Sequence, residues 1–271
     1  MRLVTFDSGE GPRAGRLDDG AVVPLSEPGE SLGALLRRGG LTDGPAWPPL
    51  PPDEVTLLPP ITDPGKIVCI GLNYRSHAEE QGAEPPETPT IFAKFANALA
   101  APGSAVALPA YSRRVDYEAE VAFVIGDRCK DVPEAQAMAH VAGYTLLNDL
   151  SARDYQFKTP QWMPGKVFDG AAPCGPALVT PDEAGPHDAI EISLMLNGEE
   201  MQNGSTADLV HSIPALVVYL SGLMTLEPGD LVSTGTPAGV GSLRNPKVWL
   251  KPGDEVVVSS PQLGTLVTPL T

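Results

Sequence analysis

The segment Val115-Asp116-Tyr117-Glu118-Ala119-Glu120-Val121-Ala122-Phe123-Val124-Ile125 constrains the fold more than any other stretch. It reads as an apolar strand interrupted by two glutamates. Alternate residues of a strand share a face. Glu118 and Glu120 therefore point the same way, followed by Ala122 and Val124. Tyr117, Ala119, Val121, Phe123 and Ile125 take the other face. Two like charges beside a buried face are costly unless something neutralises them. A hard divalent cation, which prefers carboxylate oxygens, is the simplest neutraliser. The alternative is an exposed strand edge whose acids are solvated.

The rest of the chain must supply a core for such a strand. Of 271 residues, 42% are apolar and 19% charged, which suits one large domain with a small appendage. The 28 Gly and 30 Pro make up a little over a fifth of the chain. That density fits many turns between short strands and stops short of disorder. The formal net charge of −16 would repel phosphate backbones and anionic lipid, so nucleic acid and membrane partners are not expected. An anionic substrate would need a local cation. Cys69, Cys129 and Cys174 match no metal or redox spacing, and Cys69 lies in an apolar run typical of a core. Neither a signal peptide nor a membrane span is legible, so a cytoplasmic protein with reduced thiols is expected.

Residues 1–64 read as a small β-rich N-terminal domain with a Pro-rich connector, and 65–271 as the main domain. In the first, Arg2–Phe6 and Ala21–Leu25 are strand candidates. Ser31 is placed to cap a helix, Leu32–Arg38, that stops at Gly39-Gly40. The proline-dense stretch 45–64 suits neither a central strand nor a helix interior. In the second, strands are expected at Ile67–Gly71, Tyr144–Asn148, Ile190–Asn197, Leu231–Thr234 and Glu255–Ser259. Asn197-Gly198 is a hairpin signal. Helices are expected at Asn73–Gln81, at Pro133–Val141 with Gly143 beyond its end, and at Thr206–Leu220 with a bend at Pro214. The fold class is mainly β with few helices (α+β), and a doubly wound sheet is not expected.

Four further segments carry chemistry. His77 and Glu80 are three residues apart, and on a helix they are neighbours. A carboxylate against imidazole fixes its tautomer and raises its basicity, giving a general base; an exposed surface pair is the alternative. Asp149 follows an apolar strand and could add a third carboxylate, with Arg153 and Gln156 on the same loop. Arginine grips carboxylates through two parallel hydrogen bonds. A helix cap with a surface ion pair is compatible with the same residues. Lys166 is flanked by Gly and aliphatic residues and either reaches into a cleft or is a solvated loop lysine. The run Thr234-Gly235-Thr236-Pro237-Ala238-Gly239-Val240-Gly241 can approach a ligand closely but is no phosphate loop. His140, His187 and His211 are expected to be structural or exposed.

Together these segments resemble the fumarylacetoacetate hydrolase family: GLNYRSHAEE (71–80), IFAKFANALAAPG (91–103), VDYEAEVAFVIG (115–126), NDLSARDYQ (148–156), GKVFD (165–169), NGEEMQNGSTADLV (197–210) and LEPGDLVSTGTPAGVG (226–241), in the family's order. The resemblance covers about residues 65–260. It implies the family's mixed β-sandwich roll around a central metal, normally Mg²⁺, with Mn²⁺ or Ca²⁺ as substitutes. It implies Glu118, Glu120 and Asp149 as metal ligands and His77, Glu80 and Lys166 as catalytic residues. Arg153, Gln156 and Thr236 match substrate-contacting positions, and a homodimer is implied. Gly170-Ala171-Ala172 departs from the Thr-aromatic pair of many relatives. The bulky stretch 158–163 is expected to shape the distal pocket.

The implied activity is Mg-dependent hydrolysis of a C–C bond in an acylpyruvate-type (1,3-diketo, 2-oxo acid) substrate through a metal-stabilised enolate. Three carboxylates around a dication leave one negative charge, so Arg153 and Lys166 would offset an acidic substrate. His77, supported by Glu80, would activate water, and Lys166 would stabilise the oxyanion or protonate the carbanion. Decarboxylation, or isomerisation or hydration of a 2-oxo dicarboxylic acid, would use the same site. A catalytically silent metabolite-binding protein and a structural Ca²⁺ site are readings of other classes. Hydrolysis comes first because both His77 and Glu80 are present. Catabolism of aromatic acids is one setting for such chemistry.

Overall fold

The computed structural model describes residues 1–39 and 47–271. The expected helix stop at Gly40 and the start of the connector at Pro45 lie outside the described residues. The fold is mainly β, built on a large and a small sheet, with Val115–Asp116 and Ser151–Ala152 paired in a separate two-stranded ribbon. In order of hydrogen bonding, the large sheet runs Ala21–Pro24, Pro12–Asp18, Arg2–Asp7, Ala172–Val179, Val141–Asn148, Ala119–Ile125, Leu231–Ser233, Ile67–Gly71 and Thr90–Lys94. Thr56–Leu58 pairs with Arg2–Asp7, and Leu99–Ala100 with Ala172–Val179. The pairing is mixed: Ile67–Gly71 runs parallel to Leu231–Ser233, which runs antiparallel to Ala119–Ile125. The small sheet is antiparallel, in the order Glu199–Ser205, Glu191–Leu196, Glu255–Ser260, Gly264–Pro269.

The sequence pattern explains the layering. Glu191–Leu196 and Glu255–Ser260 alternate between buried and accessible residues, so each turns one face to the core. Ala119–Ile125 is buried at every position, as its apolar character on both faces requires. Ile192, Leu194, Val256 and Val258 of the small sheet join Val121, Phe123, Tyr144 and Leu146 of the large one in a single core. Each fully buried aliphatic or aromatic side chain contributes about 1.5–3 kcal/mol. The N-terminal strands are continuous with the large sheet, because Arg2 and Leu3 pair with Val179 and Leu178. A small satellite cluster of Val4, Phe6, Val22 and Ala177 packs there.

Several local expectations change. The 115–125 strand is broken: Val115–Asp116 and Ala119–Ile125 are separate, with Tyr117 and Glu118 between them. Pro133 precedes a short helix, Glu134–Ala137, followed by a 3₁₀ turn, Met138–His140. Gly143 does not end a helix but lies within Val141–Asn148, where a Cβ would come within 2.5 Å of the Val179 carbonyl oxygen. Pro214 does not bend a helix. It sits in the first turn of Ile213–Leu223, which Ser212 caps by accepting from the Ala215 N–H. Residues Thr206–Asp208 form a separate 3₁₀ turn. Strands Pro12–Asp18, Thr90–Lys94 and Gly264–Pro269 are additional. The Asn197-Gly198 hairpin is present, both residues having positive φ (51° and 83°).

Candidate active site: a buried acid triad beside a histidine

Sheet register assembles the acids. Glu120 sits opposite Leu147 and Ala119 opposite Asn148 on the antiparallel neighbour. One residue further, the Asp149 N–H donates to the Glu118 carbonyl at 2.9 Å. Glu118, Glu120 and Asp149 thereby bring one oxygen each within 4.8 Å of one another, and all three are buried.

Three cations surround them. Lys166 Nζ lies 2.6 Å from Glu118 Oε2 and 3.0 Å from Asp149 Oδ2. Lys94 Nζ lies 2.8 Å from Asp149 Oδ1 and also donates to the carbonyls of Lys166 and Ala171. Arg153 Nη2 lies 2.6 Å from Glu118 Oε1, and its Nε donates to Asp116 Oδ2 at 2.9 Å. Asp116 also accepts from the Gly241 and Ser242 N–H groups at 2.8 and 3.0 Å. Four carboxylates against three cations leave one excess negative charge.

The electrostatics divide the glutamates. Burial by itself would raise the Glu118 carboxyl, but Arg153 and Lys166 overcome it and hold the group down at about 2. Burial, reinforced by Asp149 and Glu118, pushes Glu120 up to about 8, against the hydroxyl of Ser233 that donates to it. Gly235 N–H donates to the same oxygen at 3.0 Å. Burial would lower the Lys166 ammonium, yet Asp149 and Glu118 prevail and raise it, so it stays charged. Cys69 lies in this electrostatic field. Burial, then Asp149 and Glu120, push its thiol well up, in keeping with an inert core residue.

His77 faces the acids from the Arg75–Gln81 helix. Tyr74, at the N-cap, supplies no side-chain cap, but Asp208 accepts from the Ser76 N–H at 3.0 Å. Asn73 bridges the Thr234 carbonyl and the His211 N–H, at 2.9 and 2.8 Å. The helix ends at Gly82 in the left-handed region. His77 Nδ1 is 3.1 Å from Glu80 Oε2, and its Nε2 is 2.8 Å from the Gln81 amide nitrogen. An amide nitrogen only donates, so Nε2 accepts and Nδ1 carries the proton toward Glu80. The basic lone pair is therefore on Nε2. Glu80 is itself held by the Gly239 N–H at 2.9 Å.

A cavity of about 100 Å³ joins these groups: His77, Glu118, Glu120, Arg153, Gln156, Lys166 and Thr236 line it, with Gly71, Phe92 and Trp162. Glu80 stands behind His77, and Asp149 packs beneath Lys166. Gly71 is a glycine because the Trp162 ring sits within 2.2 Å of where a Cβ would be. Gln156 Oε1 accepts from Arg153 Nη1 at 3.0 Å. The Thr236 hydroxyl donates to the Ala119 carbonyl and accepts from Gln202, both at 2.8 Å. His140, His187 and His211 do not line the cavity; His211 Nε2 is 2.9 Å from the Pro86 carbonyl oxygen.

Sequence reasoning missed three residues. Asp116 lies two positions before Glu118, so the same alternation that pairs the glutamates includes it. Gln81 is one helical turn past His77. Lys94 ends an apolar strand, and a lysine in such a run is the signal of a buried ion pair.

The residues fit a divalent cation. The donor set is all carboxylate, the oxygens converge, and the upward push on Glu120 by Asp149 and Glu118 reflects the negative charge crowded there. Fold and site define a β-rich enzyme class built around a buried acid triad that could hold a metal. Residues 66–271 match the family model "Fumarylacetoacetate (FAA) hydrolase C-terminal". The chain belongs to the fumarylacetoacetate hydrolase family. It is 45% identical to the mitochondrial oxaloacetate tautomerase FAHD2A of Bos taurus, over 91% of this chain and 78% of that one. It superposes on a fumarylacetoacetate hydrolase of Exiguobacterium antarcticum with a TM-score of 0.90 at 33% identity, covering 100% and 99% of the two chains. It also superposes on the maleylpyruvate hydrolase of Sphingobium sp. SYK-6, solved with manganese(II) and pyruvate. The TM-score there is 0.81 at 28% identity, covering 100% and 99%.

Proposed function

We propose that this protein interconverts the enol and keto forms of a small 2-oxo dicarboxylic acid, with oxaloacetate as substrate and Mg²⁺ as cofactor. The observation that carries this reading is His77, its tautomer set by Glu80 and its basic Nε2 held by the Gln81 amide, lining one cavity with Glu118 and Glu120. The 45% identity to an oxaloacetate tautomerase supports the choice of reaction. Isomerisation thus moves ahead of the hydrolysis first expected from the sequence.

Glu118, Glu120 and Asp149 would hold the cation. When bound, it supplies Lewis acidity that polarises the 2-oxo group and acidifies C3. The Gln81 amide gives way to the substrate; His77 Nε2 then takes the C3 proton, and Glu80 stabilises the imidazolium that results. Lys166 stays protonated and donates a hydrogen bond toward the oxygen that gains charge, and the His77 imidazolium returns its proton to that oxygen through a water, which completes the enol. Arg153 and Gln156 set one wall and orient the substrate carboxylate. Thr236, whose hydroxyl is spent on Ala119 and Gln202, shapes the wall opposite.

Hydrolysis of an acylpyruvate C–C bond is the second reading, favoured by the two hydrolases of the same fold. There His77 would take its proton from water. Decarboxylation needs no base, so His77 would be idle in it. A homodimer with no nucleic acid or membrane partner completes the reading. Among the described residues no helix is long and apolar enough to cross a membrane. A cytoplasmic location also stays within the proposal, although the bovine relative carries a mitochondrial name.

The test follows the ultraviolet absorbance of enol-oxaloacetate with and without Mg²⁺. We expect acceleration that a chelator removes, and a loss of about 10²–10⁴-fold in His77→Ala, the usual contribution of a general base. No acceleration by the wild type, or an undiminished His77→Ala, would overturn the reading. Cleavage of an acylpyruvate with no tautomerisation would put hydrolysis in its place.

A further inference from the structure

The imidazole of His77 has two partners, and they are held in different ways. Glu80 is fixed at both oxygens: Oε2 lies 3.1 Å from His77 Nδ1, and Oε1 accepts from the Gly239 N–H at 2.9 Å. Gln81 is fixed at one atom only. Its amide nitrogen lies 2.8 Å from His77 Nε2, and its amide oxygen accepts no hydrogen bond among the described residues. Helical spacing makes this contact, because side chains lean toward the N-terminus and the residue at i+4 lies over the residue at i. Gln81 is exposed and is the last residue of its helix, ahead of Gly82. It lines both the cavity of the acid triad and an adjoining hollow of about 220 Å³, whereas Glu80 lines neither. The last torsion of a glutamine side chain is broad and roughly two-fold, so a turn of about 180° puts the amide oxygen where the nitrogen was. The nitrogen donates to a lone pair, and the oxygen accepts from an N–H. Gln81 can therefore pair with His77 Nε2 in either protonation state, which no carboxylate, ammonium or thioether at that position could do.

We propose that Gln81 is a positioning residue that serves His77 in both of its states: the amide nitrogen holds the neutral base, and after proton transfer the amide oxygen, turned about the last side-chain bond, holds the imidazolium. This rests on the reading of His77 as the base of the tautomerisation. In the empty protein the Gln81 N–H occupies the Nε2 lone pair and fixes the ring. The substrate displaces that N–H. The C3 proton then goes to Nε2, the electron pair of the broken C–H bond forms the C2–C3 double bond, and the carbonyl pair moves onto the 2-oxo oxygen. The Gln81 oxygen accepts from Nε2–H until that proton leaves through the water for the same oxygen, and the amide then turns back. Glu118, Glu120, Arg153 and Lys166 are the charged groups that line the cavity with His77 from other elements, and they are common to every variant below.

Nitrogen NMR of the His77 ring, on the Mg²⁺-loaded protein at neutral pH without substrate, reads the pairing independently of turnover. Gln81→Met removes donor and acceptor at similar length, and Gln81→Glu keeps the acceptor alone. In the wild type we expect a proton on Nδ1 and none on Nε2. Gln81→Met is expected to keep that tautomer with the Nε2 resonance displaced, and Gln81→Glu to hold protons on both nitrogens. In the tautomerase assay Gln81→Met is expected to lose about fivefold in kcat, the worth of one hydrogen bond, at a KM that does not rise, since the substrate has no amide to displace. Gln81→Glu is expected to lose more, its base being already protonated. A wild-type Nε2 that carries the proton, a neutral ring in Gln81→Glu, or an undiminished kcat in Gln81→Met overturns the inference and leaves the role of His77 to the His77→Ala assay. A wild type without tautomerase activity sinks the tautomerase reading, and the ring pattern of Gln81→Glu then decides the pairing by itself.

Discussion

Glu118 and Glu120 share one small hollow and answer to protons in opposite ways. Glu118, held down at about 2, contributes stability that is present above its ordinary value of 4.5 and lost as pH falls through 2. Glu120, pushed up to about 8, does the reverse: its contribution is full below 4.5 and is lost as pH rises through 8. The metal-free protein is therefore expected to lose stability between pH 5 and pH 8, and Mg²⁺ to restore it. Urea midpoints with chelator and with Mg²⁺ check this; a midpoint that rises with pH in chelator contradicts it. Lys94 gives a second expectation. Its removal in Lys94→Met strands a fully buried Asp149 oxygen, at a cost of about 3–5 kcal/mol. Urea unfolding reads this directly, and a change below about 1 kcal/mol, the range of a surface pair, contradicts it. At this scale the acids and His77 were legible because strand alternation and helical spacing are local. The place of Lys94 in an apolar strand signals a buried ion pair, but its partner Asp149 lies far along the chain and is not readable from it.

The longest helix forms where a cap and an apolar face agree. Ile213–Leu223 buries Ile213, Leu216, Val217 and Leu220 on one side, and Ser212 satisfies the Ala215 N–H at its start. Ser212→Ala is expected to destabilise the protein by about 1 kcal/mol without changing the denaturant m-value. An unchanged midpoint would mean that the cap is idle. The helix boundary was misread because proline at a first turn and proline at a bend look alike until the cap is placed. Gly143 was misread for a different reason. It is a glycine because the Val179 backbone passes beside it, and nothing within several residues of it records that neighbour. The break at Tyr117–Glu118 likewise comes from beyond the strand: Asp116 turns to meet Arg153, Gly241 and Ser242, and the Glu118 N–H donates to the Asn148 side chain at 3.2 Å. The hairpin at Asn197-Gly198 was legible since its turn chemistry is complete in two residues.

Across the whole molecule, the β-rich class was readable from turn density and short apolar runs. The strand order was not, because pairing of Arg2–Asp7 with Ala172–Val179 spans most of the chain. That pairing makes the N-terminal strands part of the large sheet, so residues 1–64 and the remainder are expected to melt in one transition. Two resolved calorimetric transitions would contradict this. The same sheet carries Ala119–Ile125 beside Val141–Asn148 and so sets the acid triad in place. The most direct test of that triad is an anomalous-scattering difference map from crystals soaked in Mn²⁺. The expected result is one peak ligated by Glu118, Glu120 and Asp149 together, absent from Asp149→Asn crystals. No peak there, or a peak that leaves Asp149 uncoordinated, would contradict the metal-centred account.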